Sequence, residues 1–327
     1  MMPTRPSYCP PNYRRWWWTL PALLLCLLVL ALIPWSLVRP VSSPQPATTH
    51  AEALQKLTAL QTQEPADAMN PLCRSQLLDH GRRTAKAIIL VHGYTSCPHQ
   101  FRELGQRLYD RGYNVLLAPM PYHGLADRMS EAHSMLTAND LAVYTHMVMD
   151  IGRGLGDTLV MAGLSAGGVV AAYAARYRQD LDIAMLISPA FGYKSVPTSL
   201  TAAAMNIFAV LPDGYGWWNE QLQEQGGVPH GYPRYSKRAL AQLLRLSFAA
   251  RKGRPQVGQM IVVTNPNDAA VNNALTEQTC ARWRRWEVPL TTYAFPQEWQ
   301  LDHDLIEPAH PKAQIEKVYP KLIDLLP

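Results

Sequence analysis

Neither a CxxC pair nor an HExxH motif occurs in the 327 residues, and the five cysteines are widely scattered. The spacings that usually hold a structural or catalytic zinc are therefore missing, and no metal site is expected. Charged residues make up only 17% of the chain. The formal net charge is +5, yet the basic residues stand in separate clusters, Arg82-Arg83, Arg251-Lys252-Arg254 and Arg282-Arg284-Arg285. No ladder of basic and aromatic residues and no nucleic-acid motif accompanies them, which argues against a nucleic-acid partner. No internal repeat is visible. What remains, 48% hydrophobic overall, is ordinary globular material, enough for one large α/β domain with appendages.

One stretch lacks charge altogether. From Trp16 to Val38, "WWWTLPALLLCLLVLALIPWSLV", the run is long enough to cross roughly 30 Å of hydrocarbon as a helix. Arg5, Arg14 and Arg15 precede it and only Arg39 follows closely. That asymmetry predicts a cytoplasmic N-terminus over 1–15, a membrane anchor over 16–38 with Trp16 to Trp18 and Trp35 at the interfaces, and a periplasmic or extracellular remainder. A cleaved signal peptide is the alternative, because Leu20 to Ile33 has the length of an h-region, although no small-x-small site follows closely. A lipoprotein signal around Cys26 is disfavoured by the bulky Leu25 before it. All three readings imply export. Cys73, Cys97 and Cys280 then lie on the oxidising side. Cys73 and Cys97 bracket one predicted strand and form the candidate disulfide, with three buried thiols as the alternative.

Residues 39–71 hold five prolines around one short amphipathic stretch, "AEALQKLTALQ", and read as a tether. Over 72–327 the segments alternate. "KAIILVHG", "YNVLLAPM", "DTLVMAG", "IAMLISP", "QMIVVTN" and "LTTYAF" read as strands, separated by stretches with helical spacing. Most of these strands are continuously apolar, hence buried on both faces, which predicts a doubly wound, mostly parallel sheet. Between "LISP" and "QMIVV" an interruption over about 192–255 is rich in Gly, Pro, Tyr and Trp and carries two helix-like pieces. It is too long for a connecting loop and reads as a helical cap.

In "VMAGLSAGG", Gly163-Leu164-Ser165-Ala166-Gly167 falls where a strand ends and a helix begins. A turn that sharp tolerates only small flanking residues and leaves the serine exposed at the carboxyl edge of the sheet. A serine hydroxyl is a weak nucleophile until a held histidine takes its proton. In this arrangement the acid and then the histidine follow the serine, each in a loop after a later strand. Asp268 in "TNPNDAAV" and His303 in "LDHDLIEP" occupy those places. The attacked carbonyl needs donors for its oxyanion. The backbone amides of Tyr94, in "VHGYTSCP", and of Ala166 are the candidates, while His92 reads as structural.

On "VHGYTSCP", "PMPYHG", "GLSAGG", "NDAAV" and "HDLIEP", spanning about 84–327, the chain resembles the α/β-hydrolases. It is similar to the branch of bacterial carboxylesterases, monoacylglycerol lipases and serine-aminopeptidase-like hydrolases. The resemblance implies a serine hydrolase working without cofactor on small-molecule carboxylic esters, with His123 bordering the entrance. The membrane segment and tether are additions to that compact pattern. Phe208, Leu211, Trp217 and Trp218 of the cap either only pack it onto the sheet or roof the pocket, with Trp217 and Trp218 touching substrate; a roofed site is expected to favour short to medium acyl chains. Amide or peptide hydrolysis, or a non-catalytic binding protein on the same scaffold, are the alternatives.

Overall fold

The computed structural model describes residues 16–35, 38, 43–218 and 227–327. Along the chain it forms α1 (Trp16–Leu32), α2 (His50–Gln61), β1 (Gln76–Leu78), β2 (Thr84–Val91), α3 (Arg102–Tyr109), β3 (Tyr113–Leu117), α4 (Ala138–Leu155), β4 (Gly156–Leu164), α5 (Ala166–Tyr177) and β5 (Ile183–Ile187). There follow α6 (Thr201–Val210), β6 (Tyr215–Trp217), β7 (Arg234–Ser236), α7 (Lys237–Arg251), β8 (Gln259–Thr264), α8 (Asn273–Arg285), β9 (Leu290–Ala294) and α9 (Ile315–Asp324).

Seven strands make one sheet in the order β1-β3-β2-β4-β5-β8-β9, parallel except for β1. Alternation along β2 sets its two faces: Ala87, Ile89 and Val91 join one core with α4, α5, α7 and α8, whereas Ile88 and Leu90 join the other with α3 and α9. The central strands β3 and β5 are buried at every position, which is why they read as unbroken apolar runs. β9 departs from that pattern because it is the edge strand, and its Thr291, Thr292 and Ala294 are exposed.

Three expectations from the sequence change. The helix expected over 16–38 ends at Leu32, and among the described residues no helix is long and apolar enough to cross a membrane. Its 17 residues rise about 25 Å, short of the roughly 30 Å hydrocarbon core. Pro34 explains the stop, since the residue before a proline avoids helical backbone. The freed carbonyls are met by side chains: Trp35 Nε1 donates to Leu30 O at 2.9 Å, and Asn206 Nδ2 of α6 donates to Ala31 O and Ile33 O at 2.8 and 2.7 Å. The N-terminal segment 1–15, with Arg5, Cys9, Arg14 and Arg15, lies outside the described residues, as does Arg39; of the side chains of Trp16 to Trp18 nothing is described.

Residues 39–71 are not a tether throughout, because α2 docks on α4 and buries Ala53, Leu57 and Leu60. Its start is fixed by Thr49, whose side chain caps Glu52 N at 3.2 Å. Finally, the second helical piece of the interruption, α7, is a layer helix: it packs on α5, with Ala239, Leu243, Leu246 and Ala250 in the main core. The cap proper is the part before it, α6 and the antiparallel β6–β7 ribbon.

Candidate active site

Gly163, the penultimate residue of β4, lies opposite Val91 on one side and Leu186 on the other, and Leu164 ends the strand at the centre of the sheet. A Cβ at Gly163 would stand 2.2 Å from the Gly167 carbonyl carbon, and one at Gly167 would stand 2.0 Å from Val91 O. Only glycine fits either place. Ser165 between them sits at φ 56° and ψ −109°, a strained conformation held by Ser165 N donating to Ile187 O at 2.9 Å and by Ala190 N donating to Ser165 O at 3.1 Å. The Ser165 hydroxyl makes no capping bond to α5, so the helix does not consume it.

Asp268 lies in the turn after β8 and is 2% exposed. Its Oδ1 accepts from Ala270 N and Val271 N at 2.9 and 3.0 Å. Its Oδ2 lies 2.7 Å from His303 Nδ1, in the loop after β9. A carboxylate only accepts, so the proton sits on Nδ1 and Nε2 presents a lone pair. Burial works against ionised Asp268, but the charge of His303 and these hydrogen bonds outweigh it and hold the carboxyl below its usual range. Burial likewise opposes a charged His303 ring, yet attraction to Asp268 and its hydrogen bond, aided by Asp304 and Asp302, raise its pKa above the ordinary value. The structure thus pairs Asp268 with His303. It draws no hydrogen bond between Ser165 and His303, a contact that often tightens only with substrate bound.

Two backbone amides flank the elbow. That of Ala166 opens α5 and has no partner within the helix. That of Tyr94 follows Gly93 in the loop after β2. His92 beneath this loop is fully buried: Nδ1 donates to Gly93 O at 2.8 Å and Nε2 accepts from Met120 N at 2.9 Å. Burial pushes its pKa down to about 4, so the ring is neutral with both nitrogens engaged.

His123 is buried rather than set at an entrance. Its Nδ1 donates to Pro121 O at 2.8 Å, and its ring packs against His92, Tyr94 and Tyr232. Trp218 reaches the loop after β2 directly, with Nε1 donating to Thr95 Oγ1 at 2.7 Å and its ring edge-on to Tyr94. Trp217 ends β6, where it pairs with Arg234 in the ribbon and is half-buried. Phe208 and Leu211 are exposed on and just beyond α6. Cys73 and Cys97 are joined, Sγ–Sγ 2.10 Å, with Cys97 three residues after Tyr94. Cys280 is buried, and burial pushes its thiol up to about 11.

Sequence reasoning missed two connections of the loops. Thr95, at φ 67°, also gives its carbonyl to Tyr232 N at 2.7 Å, so two cap residues hold it. His230 Nε2 lies 2.7 Å from Glu307 Oε2, both buried, tying the segment between β6 and β7 to the loop that carries His303. Neither carries a motif; a lone histidine and glutamate 77 residues apart give no signal until folded.

The Hydrolase_4 family model, "Serine aminopeptidase, S33", matches residues 82–225. A thermostable monoacylglycerol lipase of Bacillus sp. (strain H-257) is 26% identical over 120 residues, 35% of this chain and 44% of that protein. The match therefore spans less than half the length of that curated relative. The solved structure of the monoacylglycerol lipase from Paleococcus ferrophilus superposes with a TM-score of 0.58 at 14% identity, covering 76% of this chain and 96% of that one. A structure from the metagenome-derived lipolytic enzymes LipS and LipT gives a TM-score of 0.57 at 18% identity, covering 78% and 98%. The monoglyceride lipase of Saccharomyces cerevisiae, as a soluble variant with a substrate analogue, gives 0.55 at 13%, covering 76% and 88%. At these identities the superpositions speak for the fold, and the fold is that of the α/β-hydrolases.

Proposed function

We propose that the chain is a serine hydrolase that cleaves carboxylic esters through an acyl-enzyme. The observation that carries the reading is the Asp268–His303 pair at 2.7 Å on the same sheet edge as the strained Ser165 elbow. Ser165 Oγ attacks the ester carbonyl while His303 Nε2 takes its proton, and the amides of Tyr94 and Ala166 receive the oxyanion. The protonated His303 then gives that proton to the departing alcohol. Water, deprotonated by the same nitrogen, attacks the acyl-enzyme, and the acid leaves as Ser165 regains its proton. Asp268 holds the ring in the required tautomer throughout. No step calls for a metal or organic cofactor.

The cap and the relatives support the proposed substrate class. Trp218 and Tyr232 close over the oxyanion loop, which favours short to medium single-chain esters, and the curated relative is named for monoacylglycerol hydrolysis. Amide cleavage is the second reading, favoured by the serine-aminopeptidase description of the family model. Turnover of a panel of p-nitrophenyl esters from C2 to C12, beside an aminoacyl p-nitroanilide, separates the two. The reading requires ester turnover in the wild type and its loss in Ser165→Ala; equal activity of Ser165→Ala contradicts it.

The location is proposed with it: the domain acts outside the cytoplasm, held to a membrane by its apolar N-terminal run. The charge-free residues 16–38 and the arginines before them support this. Protection of the domain from protease added to spheroplasts would contradict it.

A further inference from the structure

We propose that Gln100 is a positioning residue, one buried amide that keeps the oxyanion loop and the histidine loop in register. This rests on the serine-hydrolase reading above. Gln100 lies in the turn Pro98–Phe101 and is 1% exposed. Its Oε1 accepts from Gly93 N at 2.8 Å, and its Nε2 donates to Asp304 Oδ1 at 2.9 Å. The partners fix the orientation of the amide, since a backbone N–H only donates and a carboxylate only accepts.

Each end of this bridge meets a residue next to a proposed reacting group. Gly93 O and Tyr94 N belong to one planar peptide unit, so whatever fixes that carbonyl also aims the Tyr94 N–H. Gly93 O is held by His92 Nδ1 at 2.8 Å and Ser96 N at 3.1 Å, and Gln100 holds the other side of the residue at Gly93 N. The conformation of Gly93 is thereby set from both of its peptide planes. At the far end, Asp304 directly follows His303. Its Oδ1 also accepts from Glu307 N at 3.3 Å, and Glu307 pairs with His230. The donor that receives the oxyanion and the ring that moves the proton are therefore referred to one another through Gln100. An error of about 1 Å between such groups can cost on the order of 10²-fold in rate, which is the scale a positioning residue controls.

A residue that only filled space or satisfied Gly93 N would change stability without selecting kcat. The test is steady-state hydrolysis of p-nitrophenyl butyrate by the full chain, with melting temperatures measured alongside. Gln100→Met keeps the volume and removes both bonds; kcat should fall roughly 30- to 300-fold with KM within threefold, and phosphonylation by a fluorophosphonate should slow by a similar factor. Asp304→Asn retains an oxygen for Gln100 Nε2 and should stay within about threefold of wild type, whereas Asp304→Ala should lose at least about tenfold in kcat. If Gln100→Met does not fold, the Asp304 pair carries the test. Wild-type kcat in a folded Gln100→Met or Asp304→Ala, or equal losses in Asp304→Asn and Asp304→Ala, would overturn the proposal. Were the wild type itself inert to butyrate ester and fluorophosphonate, the hydrolase reading would fall instead; an active wild type with a dead Ser165→Ala confines any failure to Gln100.

Discussion

The indole of Trp218 donates to Thr95 Oγ1 at 2.7 Å, and this bond joins the cap to the loop that carries Tyr94. Thr95 Oγ1 in turn donates to Tyr94 O at 2.6 Å, so the contact reaches the residue assigned to the oxyanion. Trp218→Ala should therefore shift the acyl-length profile and lower kcat/KM for medium-chain esters by roughly tenfold, with Trp217→Ala the milder of the two. Profiles from C2 to C12 check this. An unchanged profile in Trp218→Ala would remove the cap from substrate selection.

Titration of His303 sets the acid limb of the rate. The ring must be neutral to accept the Ser165 proton, and its pKa is raised, so kcat/KM should fall as pH drops through a value above the ordinary 6.5. Asp268→Asn removes the attraction and leaves the burial, so the limb should move to lower pH while the rate drops about 10³- to 10⁴-fold. A pH profile of both proteins on one soluble ester measures it. A limb that stays put would mean Asp268 is not the partner that charges the ring.

How much of this was legible in the sequence varies with the physics behind each part. Strands buried on both faces announce themselves, and "AIILV", "LVMAG" and "MIVV" each fell within strands of the sheet. Ser165, Asp268 and His303 could be nominated because topology confines such groups to strand ends, and the structure pairs Asp268 with His303 at 2.7 Å. β1 and the β6–β7 ribbon were not legible, since strands of three residues, mostly of intermediate burial, leave no periodicity to read. The docking of α2 was hidden by prolines on both sides, and the bond from Gln100 to Asp304 by the 204 residues between them. Pro34, by contrast, stood in plain view within the apolar run and stops α1 short.

The Cys73–Cys97 bridge joins residues 24 apart in the chain, its second cysteine three residues after Tyr94. A loop of that size restricts the unfolded chain enough to stabilise the fold by about 3 kcal/mol. Reduction should lower the melting temperature by roughly 5 to 12 °C, read by calorimetry with and without reductant. Two free thiols in unreduced protein, found by mass mapping, would contradict the pairing.

The α2 helix belongs to the folded domain. Leu57→Ala removes a buried side chain between α2 and α4 and should cost about 2 to 4 kcal/mol in denaturant unfolding. A change below about 0.5 kcal/mol would return the segment to a loose tether.

An activated Ser165 served by His303 and Asp268 should react with a covalent serine probe. Incubating the folded chain with a fluorophosphonate and mapping the adduct by mass spectrometry tests it most directly. One phosphonyl group is expected on Ser165, formed rapidly in the wild type and at least about 10³-fold more slowly in His303→Ala. An unlabelled wild type, or a label on any other serine, would contradict it.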